Sequence, residues 1–284
     1  MFGEKELQVL YHMSRGRRTV SELSECLGIS VPETYRKIRL LRSKDVVEGK
    51  DPIRIGRCPH AKRLMMLMSE GPGMAKYLSG DCLDVLVSLL APCTPEGISE
   101  VTGISGSHVR RILRLEIEGG FVRKTDGEYS LECDALPDIR PFLMSYKDYT
   151  EVSDPRLSED SEILFRKGRD VVFSSDSDQG FRPTGASVFE EYGMHGMSDG
   201  PGFFTTEAGE LSLDDMFEDA VRIAEAKNDW RLRMYNELFY IRNSGMLDPP
   251  SDFLEKHGRI MSGDRIDHWP SKEDIEDRMW MVVD

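Results

Sequence analysis

The chain has 284 residues, 39% hydrophobic and 31% charged, a composition that excludes collagen-like, disordered and membrane-spanning proteins. At roughly 150 residues per domain, this length predicts two structural units. The longest apolar runs, Leu64–Met68 and Met279–Val283, fall far short of the ~20 residues of a membrane helix. Charges at Glu4, Lys5 and Glu6 leave no signal-peptide core, so we expect a cytoplasmic protein.

The net charge of −14 is distributed unevenly along the chain. Residues 1–130 contain 20 Lys and Arg against 17 Asp and Glu, whereas residues 131–284 contain 17 against 34. An acidic surface repels nucleic acid, and the acidic excess lies wholly in the second half. We therefore expect the two halves to have different partners.

The first half contains an internal repeat with a displacement of 75 residues. Residues 23–30 (Leu-Ser-Glu-Cys-Leu-Gly-Ile-Ser) align with residues 98–105 (Ile-Ser-Glu-Val-Thr-Gly-Ile-Ser). Without any gap, the same alignment pairs Arg36 with Arg111 and Arg39 with Arg114. Self-similarity of this kind predicts two copies of one fold.

Each copy has the pattern of three helices followed by a β-hairpin. Gly28 and Gly103 are predicted to end the second helix, because glycine readily adopts the left-handed conformation. Ser30 and Glu33 predict a capping box at the start of the third helix, with Pro32 tolerated in its first turn. Two strand pairs around turns at 49–51 and 126–127 follow the third helices. Three helices and a hairpin make a winged helix.

Each third helix begins with small polar residues, and arginines follow on its outward face. Such a helix fits the DNA major groove, and cations on the hairpins would lie over phosphates. The predicted DNA-binding residues are Pro32, Glu33, Tyr35, Arg36, Lys37, Arg39, Lys50, Arg54, Ser107, His108, Arg110, Arg111, Arg114 and Lys124. A solvated surface helix, or a winged helix that contacts only proteins, are the alternatives.

The residues of the first copy carry a family resemblance. Leu-Ser-Glu-Cys-Leu-Gly-Ile-Ser (23–30), followed by Tyr-Arg-Lys-Ile-Arg-Leu-Leu (35–41), resembles the winged helix–turn–helix of bacterial and archaeal transcriptional regulators. The resemblance covers about residues 3–57 and 79–132 and implies DNA binding. Glu116 departs from it, since it occupies the position of the apolar Leu41. This departure predicts that the third helix of the second copy is rotated or ends early.

The predicted fold class is α+β, with two tandem winged-helix domains and a mixed α/β C-terminal domain. The predicted boundaries are 1–58 (first winged helix), 59–78 (linker helix), 79–132 (second winged helix), 133–160 (linker) and 161–284 (acidic domain). In the acidic domain the sequence predicts a hairpin over 163–173, a helix that Pro183 opens, a strand at 203–205 and four further helices.

The sequence offers no catalytic or metal-binding motif. The five cysteines form no C-x-x-C pair, and Cys58 with His60 lacks a second ligand pair. Acidic residues at 214–219 are favoured in the first turns of a helix, and His195 has no nucleophile nearby. We therefore expect no enzyme, no metal and no cofactor.

Residues 181–194 and 211–215 are similar to the segment that joins hairpin and helix in antitoxins of abortive-infection toxin–antitoxin pairs. That similarity implies a protein partner such as a nucleotidyltransferase toxin. We thus predict a transcriptional regulator that binds double-stranded DNA and contacts no membrane. Its acidic half would serve sensing, self-association or partner binding. The alternatives are a protein-interaction scaffold, an antitoxin-like partner of a toxin and, third, an enzyme acting on nucleic acid.

Overall fold

The computed structural model describes residues 1–132, 136–194, 197 and 200–282. The chain is α+β, with about 53% helix and, within these residues, three small antiparallel sheets. It divides into two compact units, Met1–Arg156 and Leu157–Asp284. In the described ranges, every helix is too short or too polar to cross a membrane.

The first unit is mainly helical. Its elements are α1 (Glu4–Ser14), α2 (Val20–Leu27), α3 (Val31–Arg42), β1 (Val47–Glu48), β2 (Arg54–Ile55), α4 (Pro59–Glu70), α5 (Met74–Tyr77), α6 (Asp81–Ser88), α7 (Pro95–Thr102), α8 (Gly106–Glu118), β3 (Val122–Thr125), β4 (Glu128–Leu131) and α9 (Ile139–Val152). Strands β1 and β2 form one hairpin and β3 and β4 another.

The order of three helices and a hairpin occurs twice in this unit. Helices α2 and α7 begin 75 residues apart and end 75 residues apart. Each ends at a left-handed glycine, Gly28 with φ of 64° and Gly103 with φ of 69°, where a side chain would strain the backbone. Ser30 and Ser105 then stand at the N-caps of α3 and α8. The two third helices therefore begin at equivalent positions.

The predicted capping box at the start of α3 is wrong in one half. The Ser30 hydroxyl accepts a hydrogen bond from the Glu33 backbone N–H at 3.4 Å. The Glu33 carboxylate, however, accepts a hydrogen bond from the Arg36 guanidinium and makes none to the Ser30 backbone. A cation one turn along the helix is a stronger donor than a backbone amide, so it draws this carboxylate away.

One apolar core runs through the first unit and connects its two three-helix groups. Helix α4 packs against both α1 and α9. Residues 59–78, predicted as a linker helix, form α4 and α5 with a break at residues 71–73. Leu64 and Leu67 of α4 are fully buried, so this segment is part of the core.

Residues 139–152 lie within the predicted linker 133–160, and the structure contradicts that prediction for them. They form α9, whose buried residues recur at helical spacing: Ile139, Phe142, Leu143 and Tyr146. Pro141 indicated a loop, but it lies in the first helical turn, where a missing N–H breaks no intrahelical bond. Residues 133–135, with Cys133, lie outside the described residues.

The second unit combines a four-stranded sheet with helices. Its elements are β5 (Glu162–Lys167), β6 (Asp170–Ser175), β7 (Arg182–Pro183), a 3₁₀ segment (Gly185–Tyr192), β8 (Gly202–Thr205), α10 (Leu213–Ala226), α11 (Trp230–Asn243), α12 (Ser251–Met261), α13 (Lys272–Glu276) and a 3₁₀ turn (Met279–Met281). The strand order is β5-β6-β8-β7, and the apolar sides of the sheet and helices share one core.

The helix predicted to open at Pro183 is present, but it is a 3₁₀ helix and it begins at Gly185. Pro183 belongs to β7, an edge strand that tolerates a residue without an N–H, and it pairs with Phe204. The segment after it is a 3₁₀ helix that ends at the left-handed Gly193. By contrast, Ser212 and Ser271 cap α10 and α13 as the sequence predicts. The predicted loop residue His195 lies outside the described residues.

If α9 belongs to the core of the first unit, Phe142→Ala lowers the free energy of unfolding by about 3–5 kcal/mol, because it leaves a cavity. Met144→Ala on the same helix is the control. Its side chain is 53% exposed, so the expected change is within about 0.5 kcal/mol. Denaturant unfolding followed by circular dichroism measures both. Equal effects of the two variants would show that α9 is not part of the core.

Candidate nucleic-acid interface

Helix α3 is held by one face and exposes the other. Thr34, Ile38 and Leu41 are buried against the core. On the opposite side Tyr35 is 57% exposed, and the Arg36 side chain is 67% exposed. A three-to-four-residue spacing of buried positions thus leaves a polar, cationic surface on α3.

Helix α8 has the same arrangement in the second three-helix group. Its buried residues are Val109, Ile112, Leu113 and Glu116. Its exposed residues include Ser107, Arg110, Arg111 and Arg114. The structure therefore brings a cationic surface to both helices at equivalent positions in the repeat.

Most of the predicted DNA-binding residues are exposed. The exposed ones are Pro32, Tyr35, Arg36, Arg39, Lys50, Arg54, Ser107, Arg110, Arg111, Arg114 and Lys124; the half-buried ones are Glu33, Lys37 and His108. Lys37 turns toward its own unit, with its Nζ 3.7 Å from Glu33 and 3.9 Å from Glu6. It is therefore less available to a ligand than its neighbours.

Several of these cations already have acidic partners within the chain. Arg36 pairs with Glu33 one turn back on α3. Arg110 pairs with Glu96 of α7 at 2.5 Å. Both arginines are exposed, and pairs at the surface contribute only about 0–1 kcal/mol, so a stronger anion can displace the carboxylate.

Other cations have no such partner. Arg39 and Arg114, which occupy equivalent positions, make no ion pair with any described residue, and the same holds for Lys50 and Arg54 near the first hairpin. Lys124 on the second hairpin lies over the ring of Tyr129 at 5.4 Å and also lacks an acidic partner in the described ranges. These positions carry exposed positive charge that no carboxylate of the described residues pairs with.

Arg111 takes part in a relay of three side chains. Its Nη2 donates to His108 Nδ1 at 2.7 Å, and His108 Nε2 lies 2.8 Å from Asp81 Oδ2. Since a guanidinium can only donate, His108 Nδ1 accepts and its Nε2–H donates to Asp81. The relay holds Arg111 toward the beginning of α6.

Sequence reasoning missed the partners of these cations. Asp81, Glu96 and Glu6 come from other helices, 14 to 31 residues away in the chain. It also missed the contact of Arg42, whose Nη2 donates a hydrogen bond to the Gly49 carbonyl at 2.6 Å. This bond connects α3 to the turn of the first hairpin. No local pattern marks such contacts, because they depend on how helices pack.

Glu116 neither rotates α8 nor shortens it, so that expectation is wrong. The helix continues to Glu118, and Glu116 is fully buried where the first copy has Leu41. Its two carboxylate oxygens lack a hydrogen-bond partner of normal geometry in the described part of the chain. Burial raises the pKa of Glu116 to about 8, against smaller opposing effects of the Cys82 thiol and the Lys76 ammonium.

The Cys82 thiol beside Glu116 is also un-ionised. Burial raises the pKa of Cys82 to about 12, and the neighbouring Glu116 and Asp81 add to the rise. The cysteine that the sequence singles out, Cys58, is free, and its neighbour His60 is buried. The Nε2 of His60 lies 3.0 Å from the Lys44 carbonyl oxygen, so this ring nitrogen makes a hydrogen bond within the protein.

The two units differ in charge. Residues 1–156 contain 23 Lys and Arg against 23 Asp and Glu, whereas residues 157–284 contain 14 against 28. The first unit is thus neutral as a whole. The exposed faces of α3 and α8 carry positive charge that does not come from an overall excess of basic residues. In the described residues, no group of three or more His, Cys, Asp or Glu side chains is arranged to hold a metal ion.

No family model matches the chain, and no curated protein and no solved structure matches it either. The geometry of the helices and hairpins is therefore the basis for assigning a function.

The buried Glu116 generates a pH-dependent stability. Its pKa is near 4.5 in the unfolded chain and about 8 when folded, so folding takes up a proton between these values. The first unit is therefore most stable below pH 4.5 with respect to this group, and it loses that stability as the pH rises to 8. Glu116→Leu should remove this dependence and raise the free energy of unfolding at pH 8 by about 3 kcal/mol.

Glu118→Leu is the matched control, because Glu118 is exposed on the same helix. Its free energy of unfolding should stay within about 0.5 kcal/mol of the parent at every pH. Denaturant titrations at pH 5, 6, 7 and 8 make the comparison. A Glu116→Leu profile parallel to that of the parent would refute the raised pKa.

Proposed function

We propose that this chain is a DNA-binding transcription regulator whose first unit contains two tandem winged helices. Support comes from the repeated order of three helices and a hairpin, with both third helices beginning at equivalent serines. In a winged helix, the third helix enters the major groove and the hairpin contacts the phosphate backbone. Both elements carry exposed cations here, in both copies.

The observation that carries the proposal is the pair Arg39 and Arg114. They are equivalent in the repeat, exposed, and without an ion pair among the described residues. Isolated cations at one position of two repeated helices fit a repeated anionic ligand, and the phosphates of duplex DNA are such a ligand. Both residues lie about two turns beyond the start of the helix, which favours contact with phosphates.

Arg36 and Arg111 lie nearer to the helix starts and are proposed to read bases. Their present partners, Glu33 and His108, are on the same helices and are displaced at small cost. A bidentate contact from arginine to guanine contributes about 1–3 kcal/mol of discrimination, which exceeds that cost. Tyr35 and Ser107 flank these arginines on the exposed faces.

The second unit is proposed to serve sensing, self-association or binding of a protein partner. Its 28 acidic residues against 14 basic ones make contact with DNA unfavourable. An antitoxin-like role belongs to the same proposal, since a protein partner would bind this unit while the first unit binds DNA. We propose no catalytic role for either unit and place the protein in the cytoplasm.

The phosphate assignment predicts the salt dependence of binding. The double variant Arg39→Gln/Arg114→Gln should weaken binding to all duplexes alike and lower the slope of log K against log salt by about 2 units. The control Lys62→Gln/Lys147→Gln removes the same charge from exposed positions on α4 and α9. Fluorescence anisotropy at several salt concentrations measures both. An equal loss of slope in the control would mean that only net charge matters.

The base-reading assignment predicts a loss of selectivity. A preferred duplex selected from a random pool is compared with a scrambled one, and Arg36→Gln/Arg111→Gln should erode the preference by about 1–3 kcal/mol for each contact. Lys50→Gln/Lys124→Gln should weaken both duplexes equally. If the parent shows no binding to any duplex, the protein-interaction scaffold becomes the better proposal.

Truncation after Arg156 tests the role of the acidic unit. Removing 14 net negative charges should leave non-specific DNA affinity unchanged or raise it, most at low salt, where screening is weak. Circular dichroism first confirms that the shortened chain retains its helices. A large loss of DNA affinity in the folded, shortened chain would place DNA contacts in the second unit.

A further inference from the structure

A pocket opens between the beginning of α6 and the exposed side of α8. Its volume is about 350 Å³, within the usual range for small-molecule sites. The residues that line it are Asp81, Cys82, His108, Arg111, Ile112 and Leu115. The α8 residues among them recur at i, i+3, i+4 and i+7, so they form one stripe along that helix.

The inner wall of this pocket is apolar. Ile112 is 4% exposed, Leu115 is half-buried, and the half-buried Cys82 lines the pocket with them. The Cys82 thiol is un-ionised at neutral pH, and Glu116 behind it is mostly protonated, because burial raises both pKa values. This wall therefore accepts an apolar group and does not repel an anion.

The mouth of the pocket carries one cation, Arg111, and one carboxylate, Asp81, which differ in how well their charges are stabilised. The Asp81 carboxylate is stabilised, since it accepts a hydrogen bond from His108 and is the first residue of α6, where the helix dipole favours a carboxylate. The guanidinium of Arg111, by contrast, donates to a neutral imidazole nitrogen, a weaker partner than a carboxylate. A ligand carboxylate is the better acceptor for this guanidinium.

We propose that this pocket binds a small organic acid, a monocarboxylate with a short apolar tail. The carboxylate pairs with Arg111, and the tail lies on Ile112 and Leu115. His108 and Asp81 are positioning residues, because they hold the Arg111 side chain at the mouth.

The site has a regulatory consequence that rests on the proposed function. Arg111 is proposed to read DNA, and a bound carboxylate would neutralise its charge and keep its guanidinium at the pocket. Acid and DNA then compete for one side chain, so each lowers the affinity of the other by the same factor. A bound acid would thus release DNA.

The test uses three probes that share a six-carbon chain: hexanoate, hexan-1-ol and hexylamine. Chemical-shift titration of the full chain measures their affinities without any DNA. Hexanoate should bind at least about tenfold more tightly than the other two, since a charge-assisted pair with Arg111 is roughly twice as strong as a neutral hydrogen bond. Equal affinity for hexanoate and hexan-1-ol, or a preference for hexylamine, overturns the proposal.

Variants locate the binding site. Arg111→Gln should remove the preference for the acid, and Leu115→Trp should block all three probes by filling the pocket. Arg123→Gln is the control, because Arg123 is exposed on β3 of the same group and does not line the pocket. Hexanoate affinity that is unchanged in Arg111→Gln, or lost equally in Arg123→Gln, would overturn the assignment.

A second titration separates this inference from the proposed function. Hexanoate should weaken DNA binding by the parent chain and leave that of Leu115→Trp unchanged. If the chain binds hexanoate through Arg111 but binds no duplex, the pocket stands and the DNA-binding proposal fails. If it binds DNA but shows no preference for the acid, the pocket fails and the DNA-binding proposal stands.

Discussion

The left-handed turn after the second helix of each repeat is the constraint on which the rest of the first unit depends. At Gly28 and Gly103 the second helix ends in the left-handed conformation, and the serine two residues later begins a new helix. This geometry decides which side of α3 and α8 meets the core. Because Ile38 and Leu113 are turned inward, the arginines one and two residues away on each helix lie off that buried face and are exposed. A residue with a Cβ at either glycine would strain this turn and tilt the cationic face with it.

Helices α4 and α9 give the two groups a common core. Apolar residues of α4 contact α1 and α9, so neither three-helix group buries its apolar surface alone. A shared core of this kind restricts movement between the two cationic helices, because a change of angle would open cavities around Leu64 and Phe142. Rigid spacing of two recognition elements suits a ligand with a fixed repeat.

The sequence predicted the α+β class, the repeated helices and hairpins, and the caps at Ser212 and Ser271, because these follow from local spacing and turn chemistry. The predicted capping box failed at Glu33, because Arg36 competes for the carboxylate. The predicted loop failed at Pro141, because proline is tolerated in the first turn of a helix. The exposed arginines of the candidate interface were predictable from helical periodicity. Their partners Asp81 and Glu96 were not, since these arrive through packing of helices distant in sequence.

The pairing of Arg36 with Glu33 and of Arg110 with Glu96 bears on how many ions leave when an anionic polymer binds. A free arginine that neutralises a phosphate releases about one condensed cation from the polymer. An arginine that first leaves a carboxylate uncovers a negative charge, which gathers a cation of its own. The net release at such a position is smaller. Glu33 and Glu96 therefore act as internal counterions, and the number of ions released would be lower than the number of arginines in contact.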